Sequence, residues 1–128
     1  MKNYSADIMI IGGGAAGMFA SIQLAKRGMD VTVLEKNEKL GKKIFITGKG
    51  RCNFTNVCDD QTFFRSVMRN PKFLYSAYHA FSAQDTVDFF EKAGMPVKVE
   101  RGQRAFPVSD HASDVTKTLE KACKMVGV

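Results

Sequence analysis

The most constraining feature of the sequence is a set of three glycines, Gly12, Gly14 and Gly17, between an apolar run and a helical pattern. The run before them, residues 6–11, is short and apolar, as expected for a buried parallel strand. After them, apolar residues recur at helical spacing over residues 15–28. A second apolar strand follows. About 30 residues therefore predict a strand–helix–strand crossover, and with it an α/β fold with a parallel sheet.

The spacing of these glycines, GxGxxG, has a physical reason at each position. The first permits a tight turn, the second lets the backbone approach a pyrophosphate, and the third allows the helix to pack closely on the sheet. Glu35, at the end of the second strand, lies 18 positions after Gly17 and can accept hydrogen bonds from ribose hydroxyls. Its charge disfavours NADP. The pattern predicts a site for an adenine dinucleotide, with FAD and NAD as alternatives.

Composition narrows the other classes of function. Asp7 and the glycines interrupt the apolar stretch near the N-terminus, which does not resemble an export signal, and no stretch reads as a membrane span. The formal charge of +6 would suit nucleic acid, but the lysines and arginines are spread along the chain. Three cysteines favour a reducing compartment. We expect a cytoplasmic protein with neither a membrane nor a nucleic acid as partner.

A long basic segment, residues 35–56, follows the second strand and contains six cations and three further glycines. A simple doubly wound domain would enter another crossover helix here, so we interpret the segment as an extended loop. Glycine-rich backbone and basic side chains supply N–H donors and positive charge along a dinucleotide. The alternative is a flexible basic surface loop.

The C-terminal part predicts two local elements. Residues 95–110 alternate and turn, which indicates a small β-hairpin. A helix capped by Ser109 or Ser113 follows and ends at Gly127. Its apolar face carries Val115, Leu119, Ala122, Cys123 and Val126. A crossover helix without its following strand is incomplete, so we expect residues 1–128 to be the N-terminal part of the domain, truncated before the next strand.

The cysteines and histidines carry no strong signal of their own. Cys52 and Cys58 are separated by five residues, whereas disulfide reductases that pass electrons to a flavin use a tighter spacing, so we expect unpaired thiols. His79 and His111 show no partner for acid–base chemistry. No histidine clusters with the cysteines, and no metal site is predicted.

Three blocks resemble a known family: "IGGGAAGMFA", "LGKKIFITGKGRCNFTN" and "RAFPVSDHASDV". Together they resemble the BaiN-like flavoproteins, also called the aminoacetone oxidase family of FAD-binding enzymes. The second and third blocks are the more specific ones. Lys49 departs from the family pattern, in which a small residue is common at this position.

The resemblance implies FAD as the cofactor and a set of residues that would hold it. They are Gly12, Gly14, Ala15, Ala16 and Gly17 at the pyrophosphate, Glu35 at the adenosine ribose, Lys36 beside the adenine, and Lys43, Gly50, Arg51, Cys52 and Asn53 toward the phosphates and the flavin. Family members are around three times as long as this chain.

We therefore expect the N-terminal FAD-binding portion of a flavin-dependent oxidoreductase, with a small-molecule substrate that the sequence does not name. A reduced nicotinamide, NAD(P)H, is a candidate electron donor. Catalytic residues are not assigned, and the portion alone is expected to be inactive and to self-associate. The alternatives are an NAD-binding dehydrogenase domain and a basic nucleic-acid-binding module.

Overall fold

The computed structural model describes residues 5–47 and 49–128, with Gly48 placed only as part of its helical turn. The elements are β1 (Ile8–Ile11), α1 (Ala15–Ala25), β2 (Val31–Leu34), α2 (Lys42–Ile46), a 3-10 turn (Thr47–Gly50), β3 (Thr55–Asn56), α3 (Asp60–Ser66), a second 3-10 turn (Pro71–Leu74), α4 (Tyr75–Ala80), α5 (Ala83–Lys92), β4 (Val97–Glu100), β5 (Arg104–Pro107) and α6 (Ala112–Met125).

The first three elements form the predicted crossover. Strands β1 and β2 pair in parallel, from Ile8 opposite Val31 to Ile11 opposite Leu34. Helix α1 connects them and ends at Ala25, because the chain turns at a glycine, Gly28, whose φ is +83°. The prediction of an α/β fold with a parallel sheet is confirmed.

A second, antiparallel sheet contains the predicted hairpin. Its strands lie in the order β3–β5–β4, and Val99 stands opposite Ala105 across the hairpin. The turn passes through Gly102, with φ +75°, and Gln103, with φ +58°. Strand β3 comes from the basic segment and pairs Thr55 with Ala105. This third strand was not predicted from the sequence.

The hydrophobic core lies between α1, α5 and α6. Its buried members are Met18, Ile22, Cys52, Phe90, Met95, Ala112, Val115, Leu119 and Cys123. Helix α6 packs on both α1 and α2 and contributes buried residues to this core. Within residues 5–128, no helix is long and apolar enough to cross a membrane.

The interpretation of residues 35–56 as an extended loop is wrong in its local structure. The segment contains α2, the first 3-10 turn and β3. Gly41 enters α2 with φ +66°, and its amide donates a 2.8 Å hydrogen bond to the carbonyl of Gly13. Ile44 then packs against the core. Because α2 has only five residues, its apolar pattern is too short to be recognised from sequence.

The predicted cap of the last helix is also wrong. His111 occupies the N-cap position of α6, and no side-chain hydrogen bond caps this helix among the described residues. Ser109 instead accepts a 3.3 Å hydrogen bond from the amide of His111, one residue before the helix begins. The apolar face is as predicted at its centre, where Val115, Leu119 and Cys123 are buried.

Candidate dinucleotide-binding site

A cleft of about 750 Å³ opens where β1 ends and α1 begins. Its lining includes eight of the residues expected at the cofactor: Gly12, Gly14, Ala15, Ala16, Gly17, Lys43, Cys52 and Asn53. The fold brings Gly12, residues 14–17 and residues 52–53 into the lining of one cleft, although the two segments are far apart in the sequence. Lys43 projects to it from α2.

The three glycines occupy the positions that the spacing predicts. Gly12 turns with φ +106°, a conformation that side chains rarely tolerate. A Cβ added to Gly14 would meet no atom within 4 Å, so the space above this residue is open. A Cβ added to Gly17 would overlap the carbonyl oxygen of Gly12. The second glycine therefore has open space in front of it, whereas the third lies in close contact with the backbone of the turn after β1.

The N-terminus of α1 faces this open space. Gly14 is its N-cap, with no side-chain cap among the described residues, and the first turn carries no acidic residue. The first intrahelical bond runs from the Met18 amide to the Gly14 carbonyl, at 2.9 Å. The amides of the first turn therefore have no partner within the helix, and they lie at its positive end. Such a terminus suits a phosphate group.

Glu35 contacts the glycine turn directly. One carboxylate oxygen accepts a 2.7 Å hydrogen bond from the amide of Gly13. The other accepts the backbone and side-chain N–H groups of Asn37, at 2.8 and 2.5 Å. The amides of Asn37 and Gly13 hold the pKa of Glu35 below its usual value, so the group remains a carboxylate through the mildly acidic range. A carboxylate has about four acceptor sites, which leaves capacity for ribose hydroxyls.

Replacing Glu35 with alanine is expected to weaken FAD binding by the intact protein about tenfold to a hundredfold, because hydrogen bonds to a charged acceptor are lost. The dissociation constant can be measured by flavin fluorescence titration. Glu38→Ala removes the same charge three positions away, on an exposed side chain, and serves as the matched control. Equal dissociation constants for the two variants would show that Glu35 is the wrong acid.

Four of the expected residues lie outside the cleft lining: Glu35, described above, and Lys36, Gly50 and Arg51. Lys36 lines a separate surface groove between the segment after β2 and α6. Gly50 ends the first 3-10 turn with φ +87°. Arg51 turns toward the hairpin, where its guanidinium bonds to the carboxylates of Glu100 and Asp110. Their expected contacts with the cofactor therefore stay predictions.

The three cysteines are free thiols. Cys52 is 4% exposed, and burial raises the pKa of its thiol, so the group is a neutral component of the cleft wall rather than an activated nucleophile. Cys58 is half-buried, and Cys123 is buried in the core beside Ser21, 3.5 Å from its hydroxyl oxygen.

Sequence reasoning missed two parts of the site. The first is Gly13, where a Cβ would overlap the side chain of Leu40 and approach Glu35. The second is an aromatic wall of the cleft, formed by Phe19, Phe54, Phe81, Phe89 and Phe90. Neighbouring rings in it lie 4.6–5.4 Å apart. In the sequence these phenylalanines look like ordinary core positions, and only the glycine between Gly12 and Gly14 offered a signal.

Comparison with known proteins agrees with this geometry. The model of the HI0933-like protein Rossmann domain matches residues 6–128, nearly the whole chain. The chain belongs to the HI0933-like Rossmann domain family. This membership confirms the resemblance drawn from the three sequence blocks, and it confirms the prediction of a flavoprotein dinucleotide-binding domain.

Curated relatives of this HI0933-like chain include two bacterial enzymes. The 3-dehydro-bile acid delta(4,6)-reductase of Clostridium scindens is 40% identical over 115 residues, which are 88% of this chain and 27% of that protein. The ribosomal RNA dihydrouridine synthase of Haemophilus influenzae is 35% identical over 127 residues, which are 99% of this chain and 31% of that protein. The chain thus spans less than a third of the length of either relative.

Solved structures share the fold. The 3-ketosteroid-delta4-(5alpha)-dehydrogenase of Rhodococcus jostii aligns with a TM-score of 0.71 at 18% identity, over 100% of this chain and 38% of that one. The THI4 protein of Thermovibrio ammonificans aligns with a TM-score of 0.60 at 16% identity, over 97% and 36%. At such identities the likeness concerns the fold alone.

Proposed function

We propose that this chain holds the pyrophosphate and adenosine of FAD in a flavin-dependent oxidoreductase. The observation that carries the proposal is the open space above Gly14, at a helix N-terminus that has neither a side-chain cap nor an acidic residue in its first turn among the described residues. Lys43 adds a cation to the same cleft, and Glu35 supplies the acceptor that favours an unphosphorylated ribose. The flavin would supply the redox chemistry when bound.

The names of two relatives support a reaction class as part of the same proposal. One relative is named a delta(4,6)-reductase, and the other is named for making dihydrouridine. Both names describe reduction of a carbon–carbon double bond conjugated to a carbonyl group. We extend this reaction class to the intact protein, with a reduced nicotinamide as electron donor. The expectation that nucleic acid is not a partner stays a prediction, and binding to ribosomal RNA fragments would contradict it.

We also propose that the flavin half of the site comes from further segments of a longer protein. Supporting this, the parallel sheet exposes large apolar side chains: Met9 is 54% exposed, Ile11 87% and Leu34 47%. Parallel sheets are normally covered on both faces. Covering this surface would bury the side chains and enclose the cleft.

The 128-residue chain by itself is therefore expected to bind FAD much more weakly than the intact protein and to self-associate through its exposed apolar surface. FAD titration followed by absorbance, with light scattering on the same samples, checks both expectations. A monomeric 128-residue chain with the full affinity of the intact protein would show that these residues form a complete site.

The test of the proposed function itself is the absorption spectrum of the intact protein, as purified and after addition of FAD. Flavin bands that persist through gel filtration, with FAD identified after denaturation, are the expected result. A colourless protein that binds NAD but not FAD would instead support the dehydrogenase alternative.

A further inference from the structure

Four charged side chains form a cluster on the edge of the hairpin, which we call the ionic latch: Arg51, Lys98, Glu100 and Asp110. Arg51 donates to Asp110 from Nε at 2.9 Å and from Nη2 at 2.6 Å, and Nη2 also donates to Glu100 at 2.5 Å. Lys98 donates to Asp110 at 2.6 Å and lies 3.4 Å from Glu100. Each cation thus contacts both carboxylates.

The guanidinium of Arg51 is also fixed from a second direction. Its central carbon lies 4.3 Å from the centre of the Phe106 ring, and Phe106 is buried in β5. Planar stacking on an aromatic face and a fork of hydrogen bonds to carboxylates are both available to arginine, because the lysine ammonium has neither the plane nor the fork. The geometry therefore defines one position for this side chain.

The ionic latch is adjacent in the chain to the wall of the cleft that Cys52 and Asn53 form. Arg51 directly precedes Cys52 and Asn53, which line the same cleft as the glycine turn. Cys52 has φ +59°, a conformation that a residue with a side chain adopts only when its surroundings hold it. The side-chain amide of Asn53 donates a 2.9 Å hydrogen bond to the carbonyl of Ala105 in β5. The segment therefore contacts β5 on both sides of Cys52, through Arg51 over Phe106 and through Asn53.

The latch joins two sequence blocks that are distant in the chain. Arg51 belongs to the block "GRCN", and Asp110 belongs to the block "FPVSD" that ends the hairpin. Asp110 itself has φ +59°. Lys98 first, and then Arg51, lowers the pKa of Asp110, and Arg51 lowers the pKa of Glu100, so both partners stay charged at neutral pH.

We propose that Arg51 is a positioning residue that holds the Cys52–Asn53 wall of the cleft through the ionic latch and does not contact the cofactor phosphates. The link to flavin binding rests on the proposed function of the cleft. The link between the latch and the position of Cys52 does not, and the reactivity of the thiol measures it without any cofactor.

The test uses Arg51→Met in the intact protein. Methionine keeps an unbranched apolar side chain over Phe106 but removes the charge and the hydrogen bonds. The matched control is Arg104→Met, since the Arg104 guanidinium lies 5.9 Å from the same ring and its Nε donates to the carbonyl of Arg101. Arg51→Lys, which keeps the charge but loses the fork, completes the series.

The first readout is the rate of alkylation by iodoacetamide at each cysteine, resolved by peptide mass spectrometry. We expect Arg51→Met to raise the rate at Cys52 about five- to tenfold, with Arg51→Lys between it and the unsubstituted protein. Cys123, buried in the core, reports general unfolding, and half-buried Cys58 reports reagent access. An unchanged rate at Cys52, or equal increases at Cys52 and Cys123, would overturn the proposal.

The second readout is the dissociation constant of FAD for the same variants. We expect Arg51→Met to weaken FAD binding to an extent that follows the increase in the alkylation rate at Cys52. Arg104→Met should leave the dissociation constant of FAD unchanged. Normal FAD affinity despite a released Cys52 would overturn the link between this wall and the cofactor. Failure of the unsubstituted protein to bind FAD would contradict the proposed function, while the alkylation rates would still decide the role of Arg51.

Discussion

Gly14→Val is expected to abolish FAD binding by the intact protein and to leave its fold unchanged. The φ of Gly14 is −79°, which any residue can adopt, and an added Cβ meets no protein atom within 4 Å. The valine side chain would instead occupy the space in front of the first-turn amides of α1. Losing two hydrogen bonds to a charged phosphate, at about 1.5–3 kcal/mol each, weakens binding by about a hundredfold or more.

Flavin fluorescence titration measures this loss, and thermal denaturation followed by circular dichroism checks the fold. Gly14→Ala adds only the Cβ and should give an intermediate affinity with the same melting temperature. If Gly14→Val retains full flavin occupancy, the pyrophosphate does not lie at the start of α1.

Gly17→Ala is expected to destabilise the protein by about 2 kcal/mol. The added Cβ would overlap the carbonyl oxygen of Gly12, which belongs to the backbone and cannot move aside as a flexible side chain does. Overpacking of this kind costs about 1–3 kcal/mol. The higher helix propensity of alanine offsets about 1 kcal/mol of this cost. The net destabilisation is therefore expected to be about 2 kcal/mol, the upper end of the remaining range, because the overlap is with backbone.

Urea denaturation of the two alanine variants gives a direct comparison. Gly17→Ala and Gly14→Ala make the same chemical change three positions apart at the start of one helix. The methyl group at position 17 would overlap backbone, whereas the methyl group at position 14 would enter open space. Only the former should shift the unfolding midpoint to lower urea concentration. Equal midpoints would mean that close packing of α1 on β1 is not what requires a glycine at position 17.

Local patterns in the sequence predicted much of the fold. The glycine spacing gave the turn between β1 and α1, because a φ of +106° at Gly12 and contact at Gly17 are requirements of the backbone itself. The apolar period gave the buried face of α6, including Val115 and Leu119. In each case the signal lies within a few residues of the element that it predicts.

The parts that could not be predicted depend on partners far away in the chain. The family resemblance placed Arg51 near the phosphates and the flavin, and its carboxylate partners, 49 and 59 residues away, could not be predicted from the residues around it. The residues next to an arginine in the sequence do not indicate which anion its guanidinium will bind. The contact between Glu35 and the amide of Gly13, 22 residues apart, was missed for the same reason.

The central claim is that the cleft at the start of α1 holds the pyrophosphate of FAD, and the most direct measurement compares the dissociation constants of FAD and FMN for the intact protein. FMN carries the flavin and one phosphate but lacks the second phosphate and the adenosine. If the glycine turn, Lys43 and Glu35 hold those missing groups, FAD should bind at least about a hundredfold more tightly than FMN. Equal affinities for the two flavins would contradict the claim.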